Sequence, residues 1–105
     1  MNSQKKLYSF GKHIRSLREE LKLSLREVAA SISIDTSLLG KIERDERQPT
    51  KEQISLISNF YNLDENILLM ENLSDQIAYK IINANAGIEI FKVAEQKVRY
   101  LIKNK

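Results

Sequence analysis

Residues 26–44 read REVAASISIDTSLLGKIER, and the way this stretch divides decides the fold. Leu25, Val28, Ala29 and Ile32 recur at helical spacing, the pattern breaks at SISID, and Leu38, Leu39 and Ile42 resume it. Helices of roughly eight residues do not offset their nucleation cost alone, so each needs a packed partner. Ser24, with Glu27 three residues on, makes a capping-box pattern that opens the first helix. Asp35 is placed to cap the second. Ala29 is small where the two helices would cross, and Ile34 plugs the turn between them. This division puts Thr36, Ser37, Gly40, Lys41 and Arg44 on the outer face of the second helix.

Working outward, Phe10, Ile14, Leu17 and Leu21 form the stripe of a helix that ends near Lys22. After the pair, RDERQP reads as a loop. Thr50 and Gln53 repeat the capping-box spacing and open a helix that buries Ile54, Ile57 and Phe60. Asp64 caps a short fifth helix, ENILLM. A compact helical domain over residues 7–73 follows from these five elements.

Residues 74–105 differ in kind. Ser74 reads as the start of a helix bearing Ile77, Ile81 and Ile82, which NANAG interrupts before a last helix with Ile88, Phe91, Val98 and Ile102. Ile77, Ala84, Phe91 and Val98 stand seven residues apart, as do Ile81, Ile88 and, beyond Glu95, Ile102. The first domain has no need of these apolar faces. Ile77, Ile81, Ile88, Phe91, Val98 and Ile102 are therefore the expected dimerisation residues. The expected fold class is all-α: five helices, then two C-terminal helices, with no strand-period alternation and no repeat.

Composition narrows the functions. The chain of 105 residues has no cysteine, which excludes a disulfide or thiolate framework. No apolar run reaches the roughly 20 residues of a membrane span, and the start lacks a signal-sequence pattern; the chain reads as cytoplasmic. The formal charge of +3 is uneven, with a net +5 over residues 1–26, −4 over 27–70 and +2 over 71–105. No Gly-rich phosphate loop, nucleophile–base pair or carboxylate dyad supports catalysis. Nothing points to a cofactor or small-molecule ligand, and the single histidine, His13, cannot complete a metal site and reads as a surface residue. Tyr8, Tyr61, Tyr79 and Tyr100 are scattered as packing residues are.

Two short helices joined by about four residues have the spacing of a helix-turn-helix unit, whose second helix enters the DNA major groove. From IRSLREELKLSLREVAASISIDTSLLGKIERDERQPTKEQISLISNFYNLDENIL, the chain resembles the Cro/phage-repressor helix-turn-helix domains of the xenobiotic-response-element family. Through LSLREVA, DTSLLGKIER and TKEQI it is also similar to small regulators encoded beside restriction–modification genes. The resemblance implies base reading by Thr36, Ser37 and Lys41, with Gly40 at the closest approach. It implies phosphate contacts from Ser24, Arg26, Arg44, Arg47 and Thr50, and a buried ion pair between Arg18 and Glu43. Ser33 stands where the family has a turn glycine. Leu25 replaces a bridging glutamine, and Asp45 and Glu46 place two carboxylates beside a phosphate contact.

The reading is thus a sequence-specific, double-stranded DNA-binding transcription regulator acting as a homodimer, because one such helix contacts few base pairs. The rival is an antitoxin-like or other protein-interaction module whose C-terminal helices bind a partner protein.

Overall fold

The computed structural model describes residues 9–105; Leu7 and Tyr8, the first two residues of the expected 7–73 domain, lie outside them. Among the described residues there are six α-helices and no strand. They are α1 (Phe10–Glu20), α2 (Leu25–Ser31), α3 (Thr36–Glu43), α4 (Lys51–Tyr61), α5 (Glu65–Asn83) and α6 (Glu89–Lys103). No helix among the described residues is long and apolar enough to cross a membrane. The chain forms two compact units, one ending at Asp75 and the other spanning Gln76–Lys105.

The first unit closes on ten buried apolar side chains. Phe10 and Ile14 come from α1, Val28, Ala29 and Ile32 from α2 and its end, Leu39 and Ile42 from α3, Ile54 and Ile57 from α4, and Leu68 from α5. Each large side chain buried this way is worth about 1.5–3 kcal/mol. Ile34, Leu38 and Phe60 pack against this core half-buried. Leu21, expected on the inner stripe of α1, is exposed because it falls at the C-cap, beyond the last buried turn.

The helix starts follow the capping residues. Ser24 Oγ accepts from Glu27 N–H at 3.0 Å while Ser24 N–H donates to Glu27 Oε1 at 2.7 Å. Thr50 and Gln53 repeat the arrangement at 3.1 and 2.9 Å. Asp35 accepts from Leu38 N–H, and Asp64 from Asn66 N–H.

The ends are unusual. Lys22, Ser33, Asp45, Asn62 and Asn85 all have φ between 56° and 61°, and no glycine has positive φ. After each of α1 to α5 the chain makes the same pair of reversed bonds. Beyond α2, for instance, Ile34 N–H donates to Ala29 O at 3.0 Å and Ser33 N–H to Ala30 O at 3.4 Å. This is the Schellman ending, here built without its usual glycine.

The expected break before Ser74 is not there. The fifth helix does not stop near Leu73 for a sixth to begin at Ser74, because α5 runs unbroken from Glu65 to Asn83. Ser74 is no cap: its hydroxyl donates back to Glu71 O at 2.9 Å, which lets serine sit inside a helix. No glycine or proline stands there to stop it.

In the second unit, the end of α5 and α6 border an apolar groove of about 610 Å³. Its lining includes Ile77, Ile81, Ile90, Phe91 and Val98, with Lys80, Lys92 and Glu95 as charged members. No residue of α6 is buried. Ile77, Ile88, Phe91, Val98 and Ile102 are exposed, and Ile81 is half-buried. Tyr79 and Tyr100, expected as packing residues, are exposed as well.

Candidate nucleic-acid interface

The geometry of α3 rests on a buried charge. Arg18 of α1 forks onto Glu43 at the end of α3, Nε to Oε2 at 2.8 Å and Nη2 to Oε1 at 2.9 Å. Its third nitrogen, Nη1, donates to Leu23 O at 3.0 Å, so one guanidinium ties α1, α3 and the α1–α2 loop together. Glu43 is only 4% exposed. The bond to Glu43 holds the guanidinium pKa even above its usual value. Tyr61 lies beside this pair with its hydroxyl buried and unbonded, and burial foremost pushes the phenol up to about 12.

A second set of bonds fixes α1 against the end of α3. Gly11 permits the approach: a Cβ there would lie 2.5 Å from Ile42 O and 2.7 Å from Glu43 O. Asp45, in the left-handed turn after α3, turns back onto the start of α1, where Gly11 N–H donates to it at 3.1 Å and Ser9 Oγ donates as well. Phe10 N–H donates to Asp75 at 2.8 Å and Lys12 N–H to Ser9 Oγ at 3.1 Å. Three successive orphan donors of α1 are thus satisfied. His13, expected at the surface, is instead half-buried, with Nδ1 2.8 Å from Glu71 Oε1 of α5.

On this frame the outer face of α3 is held in place. Thr36, Ser37, Gly40, Lys41 and Arg44 fall at i, i+1, i+4, i+5 and i+8, within one side of the helix. Ser37, Lys41 and Arg44 are exposed and Thr36 is half-buried. Gly40, expected where the helix comes closest to the DNA, is buried in the free chain. A Cβ on Gly40 would meet Leu25 Cδ2 and Arg44 Nη1, each at 3.2 Å. Leu25 thus lays the start of α2, with Ser24 and Arg26 on either side of it, against the middle of α3.

The expected phosphate residues divide by what already engages them. Ser24 and Thr50 accept cap bonds at their hydroxyl oxygens, and each hydroxyl keeps its proton for a further acceptor. Arg26 is exposed, and Glu43, one carboxylate it could have paired with, is held by Arg18. Arg47 is exposed on a loop pinned by buried Pro49 and by Asn72 Nδ2 donating to Gln48 Oε1 at 2.8 Å. Arg44 is engaged: its Nε lies 3.0 Å from Glu46 Oε2. Of the two carboxylates after α3, then, Asp45 serves the fold and Glu46 pairs with Arg44. The helical spacing of the apolar residues gives no sign of that split, since it depends on the left-handed turn at Asp45. No cluster of metal-ligating side chains occurs among the described residues.

Residues 14–68, just over half of the chain, match the helix-turn-helix family. The chain is 31% identical over 61 residues to the HTH-type transcriptional regulator ImmR of Bacillus subtilis, a match covering 58% of this chain and 48% of ImmR. The matched region is thus about half the length of that relative. Among solved structures it is similar to the restriction-modification controller protein C.AhdI from Aeromonas hydrophila, at 27% identity and a TM-score of 0.53, over 56% of this chain and 89% of that one. It is similar also to SinR, the master regulator for biofilm formation, solved in complex with DNA. That match has 28% identity and a TM-score of 0.53, over 57% of this chain and 97% of the other. The all-α helix-turn-helix fold is common to them.

Proposed function

Since the chain belongs to the helix-turn-helix family, whose members matched here are transcription regulators rather than enzymes, we propose that it binds double-stranded DNA sequence-specifically as a homodimer and so controls transcription in the cytoplasm. The observation that carries the reading is the outer face of α3, which presents Ser37, Lys41 and Arg44 on a helix locked by the Arg18–Glu43 fork. A helix so held can enter the major groove, where hydroxyl and ammonium groups read base edges. Thr36, Ser37 and Lys41 are the base readers. Ser24, Arg26, Arg44, Arg47 and Thr50 meet phosphate, which sets register without reading sequence. ImmR, SinR and C.AhdI match at similar identity. The proposal therefore covers transcription regulation and does not single out restriction–modification genes.

Dimerisation is assigned to residues 74–105. Ile77, Ile81, Ile88, Phe91, Val98 and Ile102 lie in a unit whose α6 buries nothing of its own. A second copy supplies an identical apolar face, and a two-fold pairing buries each side chain twice.

Selection of a preferred duplex from a random pool, followed by titration of two variants, tests the readout. Lys41→Ala should cost roughly 1–3 kcal/mol on the preferred site and relax one position per half-site. Arg47→Ala should weaken all sequences alike and flatten the salt dependence by about one ion. Uniform loss in both variants would remove Lys41 from the base readers.

A further inference from the structure

We propose that Glu46 is an internal competitor for the phosphate contact of Arg44, so that DNA must displace a carboxylate of the protein before this arginine can engage the backbone. The inference rests on the DNA-binding reading above and adds a residue that sets affinity within it. Arg44 presents a two-pronged fork to Glu46, Nε to Oε2 at 3.0 Å and Nη2 to Oε1 at 3.3 Å. A phosphate offers the same paired oxygens to the same fork. Glu46 is therefore shaped as a stand-in for what Arg44 would meet on DNA.

The carboxylate is held where it competes. Glu46 N–H donates to Lys41 O at 2.8 Å, across the left-handed turn at Asp45, φ 61°. This bond fixes the backbone of Glu46 beside the last turn of α3. The carboxyl is drawn below its usual pKa by the Arg44 bond, with Lys41 adding attraction. One acidic side chain thus acts on two of the four cations proposed for the interface, Arg44 and Lys41. Both partners are about half exposed, at 51% and 54%, and exposed ion pairs open at little cost. The pair lowers affinity, then, without blocking binding. The neighbouring Asp45 cannot do the same, since its oxygens are engaged by Ser9 and Gly11 at the start of α1.

The test uses the full chain and a mixed-sequence DNA duplex, because phosphate contacts carry no sequence information. Glu46→Gln should bind this duplex about two- to fivefold more tightly near physiological salt. Its salt slope should steepen by up to about 0.9, the value for one further neutralised phosphate. In an Arg44→Ala background the same substitution should gain much less. An equal gain in both backgrounds would mean that Glu46 merely repels DNA at a distance, and the proposal would fall. Unchanged binding by Glu46→Gln would overturn it too. Failure of the wild type and every variant to bind any duplex would instead overturn the DNA-binding reading itself.

Discussion

Glu43 shows how much one side chain can settle. Its two oxygens are both taken by Arg18, and its burial leaves water no access to replace that partner. Glu43→Ala strands the guanidinium beside the core and should cost roughly 3–5 kcal/mol, read as a fall in the denaturation midpoint. An unchanged midpoint would show that the fork contributes nothing to folding. This pair was expected from the family resemblance alone, which set Arg18 of the first helix against the glutamate of IER at the end of the third. The bonds of Asp45 were not expected. Its role depends on α1 passing within van der Waals distance of α3 at Gly11, a meeting of residues 34 apart that no local motif announces.

The helices were legible where their signals are local. Both capping boxes stand where Ser24 and Thr50 are followed three residues later by Glu27 and Gln53, since such a box needs only its own four residues. The length of α5 was not legible, because a serine that bonds back to its own helix looks in sequence like one that starts a new helix. Helix ends offer the sharpest test at this scale. Ser33 holds φ 58° in the turn between α2 and α3. A side chain there costs about 1–2 kcal/mol, partly offset by the greater freedom that glycine has when unfolded. Ser33→Gly should therefore stabilise the protein by about 0.5–1 kcal/mol. Urea unfolding should show a higher midpoint at unchanged slope. A lower midpoint would mean that the serine side chain stabilises this turn.

For the molecule as a whole, the second unit is where assembly is put to the test. Apolar rows seven residues apart were plain in the sequence, and Phe91 and Val98 do line an open groove. What covers them is not a property of one chain. The double substitution Phe91→Glu, Val98→Glu changes side chains that are already 46% and 54% exposed, so the first unit should keep its melting behaviour. Sedimentation should then report a monomer at micromolar concentration. Affinity for a duplex with two half-sites should fall at least about tenfold, as linked binding is lost. A variant that stays dimeric would move the interface out of residues 74–105.

The two capping boxes are alike in geometry but differ in one atom type. Gln53 closes the box of α4 with an uncharged amide, whereas Glu27 closes that of α2 with a carboxylate. The Ser24 backbone N–H, and after it the Ser24 hydroxyl, hold the Glu27 pKa below its usual value. A carboxylate lowered in this way contributes its full stabilisation above the unfolded value and loses it as pH falls through the lowered folded one. Acid therefore weakens the box at the start of α2, whereas the Gln53 amide that closes the box of α4 does not titrate. Under acid stress the helix that lays Leu25 against Gly40 loses part of the hold at its start.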